Sequence, residues 1–358
     1  MNKIILSVTN DLSTDQRVNK VANSLFNAGY KVLLVGRMKS DSIPLMKRRY
    51  KCVRFNLFFE RGFLFYLEYN IRLFFFLLFS RFDFLVANDL DTLLANYCVS
   101  KVRAKKLIYD SHELFTEIPE LNNKKYTKYI WIYLESMILP RIKYSYTVSA
   151  SIALYYYNKY GIPMTLVRNF PFHSKLPVKK FKKNSIKKII YQGAVNKDRG
   201  IALMIKSMQY VDAVLYIYGS GDILDEMCVL VKKLKLCNKV FFKGRVSFDK
   251  LFQFTSQADL GLSFEEDTCL SYRFSLPNKI FDYINSEIPI LISDLPEFKK
   301  VIYSYNVGEV LLSRNEKEVA SQITKILKVP REDWSKNMKL AKKEFCWENE
   351  EPKLLSCF

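Results

Sequence analysis

The sequence predicts an α/β protein made of two parallel-sheet halves that face a central cleft. Three observations carry that reading. Short apolar runs alternate with helical stretches along nearly the whole chain. A proline- and lysine-rich interruption, FPFHSKLPVKKFKKNSIKK, splits the alternation into two comparable sets. Polar residues and glycines gather just after the apolar runs, at the edge where open α/β sheets bind ligands. The length of 358 residues agrees, since it exceeds what one ordinary core organises.

The elements follow in order. KIILSVT at 3–9 is a strand, NDLSTDQ a polar turn, RVNKVANSLFNAG a helix and KVLLVG at 31–36 the next strand, which together form a βαβ unit with a right-handed crossover. A strand at 52–58, an aromatic helix over about 63–80, the strand FLVAND at 84–89, a helix through LLANYCVS and the strand KLIYDS at 106–111 continue the pattern. A strand near 146–148 and a helix ending at Tyr160–Gly161 close the first half at about residue 170. Residues 171–186 read as the linker. The second half, 187–334, runs through KKIIYQG, a helix through IALMIKSM, AVLYIYGSGD, a helix, KVFFKGRV, a short helix, ADLGLSF and then SLPNKIFDYINSEIPILISD as helix plus strand. Residues 335–358 read as a C-terminal helix packing back on the first half.

Charge and cysteines narrow the function classes. The net charge is +20, and residues 1–150 carry +10 of it (23 Lys/Arg against 13 Asp/Glu), so the basicity is spread over both halves. Such a balance favours an anionic partner: a phosphorylated small molecule, an acidic membrane surface or nucleic acid. No RNA- or DNA-reading motif accompanies it, and nucleic acid is not expected as a partner. The seven cysteines include no CxxC pair, which reads as reduced thiols and a cytoplasmic protein. The opening MNKIILSVTND is too short for a signal-peptide core. LFFFLLF at 73–79 is too short to cross a bilayer, which needs about 20 apolar residues.

Several constellations suggest chemistry, each beside a plainer alternative. The first strand-to-helix loop has no glycine, so a dinucleotide is not expected there; Asp15 caps the helix or faces a ligand. Asp89-Leu90-Asp91 resembles a metal-binding DxD string, but at a strand end it reads more simply as a helix start with Asp91 as cap, and no metal is expected. In the second half, Gly193 with Asn196, Lys197, Arg199 and Gly200, then Gly219 with Gly221, then Gly244 with Arg245 and Val246, follow three successive strands. Their glycines would let backbone N–H groups meet a ligand while Arg199 or Lys197 neutralises a diphosphate; the alternative is turns and caps. Pro277-Asn278-Lys279 opens a helix whose positive end would bind an anion. His112, one of two histidines, follows the strand ending at Asp110; His173, in the linker, reads as solvated.

NDLSTDQRV, ANDLDTL, YDSHELF, VRNFP and SLPNKIFDYI occur in this order. With them the chain resembles the GT-B glycosyltransferases of family four, and within these the branch found in bacterial surface-polysaccharide clusters, over residues 1 to about 352. The resemblance implies two Rossmann-like domains and a retaining hexosyl transfer from a nucleotide-diphosphate sugar, without a further cofactor. The N-terminal domain would take a saccharide or lipid-linked saccharide acceptor and the C-terminal domain the donor. It implies that Arg199 and Lys279 meet the diphosphate, with His112 as the third catalytic candidate, near the transferred sugar. Gly193, Asn196, Gly219 and the backbone of Gly244, Arg245 and Val246 would line the donor pocket, the last three at the nucleobase. Ser275, Leu276, Pro277 and Asn278 would supply amides, and Asp282 would accept from the ribose. Asp15, Asp89 and His112 would form the acceptor side. The sequence departs from the family where the first glutamate of its E-x7-E pattern falls on Phe274 and a second cation falls on Ala194. The branch's own SLPNK pattern argues that the sugar is held differently.

From Met46 to Arg81 the basic residues Lys47, Arg48, Arg49, Lys51, Arg54 and Arg61 interleave with Phe55, Phe58, Phe59, Phe63, Phe65 and Phe74 to Phe76. They suit contact with an anionic membrane surface, making the protein peripheral at its inner face; a buried aromatic helix with a basic surface is the plainer alternative. A sugar-nucleotide epimerase or hydrolase on the same fold, or a non-catalytic binder of anionic ligands, remain the competing functions.

Overall fold

The computed structural model describes residues 1–13, 15–40, 42, 44–122, 124–173 and 186–358. Most of the expected linker, residues 174–185, lies outside the described residues. The chain divides into two compact units. The first holds Met1–Asn169 with Cys269–Ser271 and Glu350–Phe358, and the second Phe170–Thr268 with Tyr272–Asn349.

In the first unit the chain runs β1 (Lys3–Asp11), α1 (Gln16–Asn27), β2 (Lys31–Met38), β3 (Lys51–Asn56), α2 (Gly62–Phe79), β4 (Phe84–Asn88), α3 (Leu90–Val102), β5 (Lys106–Ser111), α4 (Lys125–Ile138), β6 (Tyr144–Thr147), α5 (Ala150–Tyr160) and β7 (Thr165–Leu166). The strands form one sheet in the order β3-β2-β1-β4-β5-β6-β7. Pairing is parallel throughout, with Ile4 opposite Val32 on one side and Phe84 on the other. Helices cover both faces, which is why Ile4, Ile5 and Leu6 are buried in succession instead of alternating with polar residues. Local chemistry sets the helix ends. Asp15 accepts from Val18 N–H at the start of α1, Ser149 does the same for Ile152 in α5, and Gly161 ends α5 in the left-handed region.

The second unit runs β8 (Lys188–Gln192), α6 (Ile201–Ser207), β9 (Val214–Tyr218), α7 (Leu224–Lys233), β10 (Val240–Gly244), α8 (Phe248–Thr255) and β11 (Leu260–Ser263). The chain continues through α9 (Leu270–Arg273), which is divided between the units, then α10 (Asn278–Asn285), β12 (Ile290–Ile292), α11 (Pro296–Tyr305), β13 (Gly308–Val310), α12 (Glu316–Lys328) and α13 (Arg331–Glu344), and α14 (Trp347–Leu355) returns to the first unit. The sheet of the second unit has the order β10-β9-β8-β11-β12-β13, also parallel. Strand order therefore reverses direction between β1 and β4 in one unit and between β8 and β11 in the other. Open α/β sheets bind ligands at the carboxyl ends flanking such a reversal.

Two expectations change. The C-terminal stretch is not one helix over 335–358 but two, α13 and α14, separated at Phe345–Cys346. Within the first unit, Glu350 accepts from Arg168 N–H at 2.8 Å, and Lys106 donates to the Cys357 carbonyl at 2.9 Å. The apolar run at 73–79 is only the last part of α2, an 18-residue helix long and apolar enough to cross a membrane by length and composition alone.

Candidate functional site

In the second unit the strand ends at the reversal point carry a buried charge cluster centred on Glu265, which the sequence reading did not single out. Glu265 directly follows the buried β11 run and is fully buried. Lys279 Nζ donates to its Oε1 at 2.7 Å, Arg199 Nη1 lies 3.5 Å from the same oxygen, and Ser263 Oγ donates to Oε2 at 2.6 Å. Burial pushes this carboxyl up, but the Lys279 and Arg199 charges outweigh it and hold it below its ordinary range. Two cations thus meet at one buried carboxylate oxygen.

Each cation is placed by the fold. Lys279, on the first turn of α10, is buried with its Nζ 4.2 Å from the centre of the Tyr191 ring, and its stem runs beside Gly193. Arg199 lies over the Tyr272 ring at 4.4 Å. Its loop is drawn onto β11 because Gly200 adopts φ +71°, and a Cβ there would sit 2.3 Å from the Phe264 carbonyl. Asp198 holds the same loop, its carbonyl accepting from Glu266 N–H at 2.9 Å and its carboxylate from Thr268 Oγ1 at 3.1 Å. Pro277 is the N-cap of α10, one position earlier than expected, and gives no side-chain cap. The first-turn amides of such a helix are left for water or an anion.

Other donor-side candidates make contacts within the unit. The amides of Gly193 and Gly219, expected to meet a ligand, donate to Tyr218 and Gly244 carbonyls at 3.0 and 2.8 Å, stitching three strand ends together. Asn196 Oδ1 accepts from Asp222 N–H at 3.2 Å, and Arg245 Nε donates to Ser220 Oγ at 2.5 Å. Ser275 Oγ turns back to the Tyr272 carbonyl at 2.8 Å. Asp282 accepts from Gln192 Nε2 at 2.7 Å, and Gln192 Oε1 in turn accepts from Thr255 Oγ1 at 2.8 Å. Val246 lines a groove of about 410 Å³ together with Tyr216, Tyr218, Lys243 and Phe254. Leu276 and Asn278 flank Pro277 at the entrance to α10. Phe274 and Ala194 stand where the family pattern has a glutamate and a cation, and the carboxylate that engages both Arg199 and Lys279 comes from Glu265 instead.

The first unit has its own network at the reversal between β1 and β4. His112 Nε2 lies 2.9 Å from Asp110 Oδ2 and Nδ1 lies 3.0 Å from Asp89 Oδ2, so both ring nitrogens face carboxylates. The resemblance puts His112 near the transferred sugar, and here its ring is held by these two carboxylates. Burial lowers the His112 pKa, but Asp89 and Asp110 prevail and raise it well above the ordinary range, so the ring is imidazolium near neutrality. Asp110 also takes Arg17, with Nη2 to Oδ1 at 2.7 Å and Nε to Oδ2 at 3.2 Å. Arg17 was missed as well, though it stands inside NDLSTDQRV. Asp89 reaches the ring from a left-handed backbone at φ 61°, and its Oδ1 accepts from His112 N–H at 2.7 Å. A non-glycine residue held there costs about 1–3 kcal/mol and is a mark of functional sites.

The neighbouring carboxylates divide differently from expectation. Asp89, not Asp91, occupies the N-cap position of α3. Asp91 is buried in the first turn, its Oδ2 accepting from Thr9 Oγ1 at 2.5 Å, and burial together with the Asp89 charge pushes its carboxyl up to about 8. Asp15, expected on the acceptor side, has both oxygens occupied, by Val18 N–H and by Asn10 Nδ2, each at 3.0 Å. His173 N–H donates to the Glu348 carboxylate at 3.2 Å.

Comparison with known proteins bears on the second unit by sequence and on the whole chain by fold. Residues 174–341 match the family described as glycosyl transferases group 1. No curated protein matches the chain by sequence. Among solved structures, a sucrose-phosphate synthase from Thermosynechococcus elongatus superposes with a TM-score of 0.80 at 15% identity, covering 99% of this chain and 98% of that one. The UDP-glucose complex of HepE from Anabaena gives 0.77 at 12% identity, covering 99% of both chains. TarM from S. aureus, solved with UDP, fondaparinux and α-GlcNAc-glycerol, gives 0.67 at 11%, covering 100% of this chain and 99% of that one. At these identities the likeness establishes the fold, two parallel-sheet α/β Rossmann-like domains of the GT-B type.

Proposed function

We propose that this chain, whose residues 174–341 match the glycosyl transferases group 1 and whose fold is of the GT-B type, moves a sugar from a nucleotide-diphosphate donor to a saccharide or lipid-linked saccharide acceptor, with retention of configuration. The observation that carries the reading is the convergence of Arg199 and Lys279 on Glu265 beside the start of α10. That arrangement brings two cations and the start of a helix to the sheet reversal, where a diphosphate is the fitting ligand. The structural neighbours solved with UDP or UDP-glucose support the same donor class.

In this reading the bond from the anomeric carbon to the diphosphate oxygen breaks first, through an oxocarbenium-like transition state. The acceptor hydroxyl oxygen bonds to the same face of that carbon, and its proton passes to the departing phosphate oxygen. Arg199, Lys279 and the α10 amides stabilise the charge growing on the leaving group, the kind of electrostatic term that usually dominates catalysis. His112, held between Asp89 and Asp110, presents an imidazolium edge that orders the acceptor-side wall instead of taking a proton. The chain's own cations carry the diphosphate charge, so no metal or further cofactor is part of the proposal. Sugar assembly into a surface polysaccharide on the cytoplasmic side is the setting this chemistry suits.

Incubation with a panel of nucleotide sugars, with and without oligosaccharide acceptors, tests the proposal. The expected product forms only with acceptor and shows the donor's anomeric configuration by NMR. Donor turnover at an equal rate without acceptor would instead favour an epimerase or hydrolase.

A further inference from the structure

Helix α2 is apolar on two opposite faces. Phe65, Tyr69, Leu73 and Leu77, four residues apart, are buried in the first unit. Phe63, Leu67, Ile71, Phe75 and Phe79, also four apart, are 44–82% exposed. A helix that is hydrophobic all round belongs in a core or in a membrane, and the core accounts for only one of these faces. Spanning is ruled out by the contacts of the inner face: Tyr69 Oη donates to the Val8 carbonyl at 2.7 Å and Asn70 Nδ2 to the Asp91 carbonyl at 2.8 Å. The helix lies along the unit with its second apolar stripe outward.

A neighbouring helix continues the surface. Tyr66 of α2 meets Trp131 of α4 edge-on, with ring centres 5.2 Å apart. On α4 the residues Tyr126, Tyr129, Ile130 and Tyr133 form a second exposed stripe at helical spacing. Cations stand beside both stripes: Lys124 and Lys125 are exposed next to Tyr126, and Arg61 is exposed at the start of α2. The nearby Glu68 and Glu117 are already engaged, with Arg72 at 2.7 Å and Lys128 at 2.9 Å.

We propose that α2 and α4 form a docking face for the surface of an anionic lipid bilayer. The outer stripe of α2 enters the acyl boundary, the α4 tyrosines sit at headgroup depth, and Lys124, Lys125 and Arg61 meet lipid phosphates. A second copy of the chain would cover the apolar stripes equally well, but the cations beside them would then repel their own counterparts; anionic lipid matches both features. The inference concerns the first unit alone and requires no donor.

Co-sedimentation of the full chain with phosphatidylcholine vesicles, and with vesicles of equal parts phosphatidylcholine and phosphatidylglycerol, tests it. The wild type is expected to partition onto the anionic vesicles, more weakly at high salt. The variant L67E/I71E/F75E should lose about tenfold or more of that partition with its circular dichroism unchanged, while Leu340→Glu, exposed on α13, leaves it intact. Should the triple variant fail to fold, Y126S/Y129S/Y133S gives the same readout from α4. Absence of wild-type binding, full retention by a folded variant, or a wild-type dimer that ignores vesicles and that the variant makes monomeric would each overturn the proposal. Nucleotide-sugar turnover in the triple variant, measured with a soluble acceptor, separates failure of this face from failure of the transfer reading.

Discussion

Asp110 takes charged partners from two sides, and its titration sets how the first unit responds to pH. Burial alone would raise its pKa, but Arg17 and His112 hold it at about 2. A depressed carboxylate contributes stability above its ordinary value of 3.8, and that contribution is lost as pH falls toward 2. His112 works in the other direction: its raised pKa contributes fully below 6.5 and is lost as pH rises through the elevated value. Arg17→Ala leaves Asp110 buried without its guanidinium and should cost about 3–5 kcal/mol in urea denaturation. Asp91, pushed up to about 8, favours the protonated form in the fold, so it costs stability progressively as pH rises from 3.8 toward 8. Asp91→Asn should therefore flatten the thermal midpoint across that window and raise it at pH 8, and an unchanged slope would refute the assignment. At this scale the sequence disclosed His112 and Asp89 through their place after strand ends. It did not disclose their partners, because His112 and Asp89 meet only once β4 and β5 pair, and Arg17 and Asp110, 93 positions apart, only once α1 packs on the sheet.

Among elements, the carboxyl ends of β8, β9 and β10 show how a ligand edge is kept rigid. Gly219, at φ +142°, approaches Gly193 so closely that a Cβ would stand 1.8 Å from its carbonyl oxygen. Gly219→Ala should destabilise the second unit by more than the roughly 1 kcal/mol of an ordinary glycine replacement in a regular element. The readout is a lowered thermal midpoint, and a neutral result would mean that the three strand ends are not stitched as described. Strands such as residues 3–9 and 106–111 were legible because runs of Ile, Leu and Val between polar turns leave few alternatives. Helix α4 went unread: KYTKYIWIYLESMI is rich in residues that favour strands, and only its packing through Trp131 settles the conformation. The extent of α2 was seen, but not which of its apolar residues are buried, since periodicity cannot tell which of two apolar stripes finds a core.

The whole molecule combines two parallel sheets of like topology with a net charge of +20 that both halves share. The alternation of runs and the polar strand ends were enough to forecast two α/β units, because a parallel sheet covered on both faces requires that pattern. Glu265 escaped notice because a carboxylate after a strand looks like any turn residue until a cation from a distant loop and another from α10 arrive on it. The central claim is that those cations bind a diphosphate. Calorimetric titration of UDP, GDP and ADP into the wild type and Arg199→Ala tests it most directly. The account predicts one-site binding of at least one nucleotide by the wild type, weakened about tenfold or more in Arg199→Ala, the cost of a lost charge-assisted hydrogen bond. No binding by the wild type, or equal affinity in the variant, would contradict it.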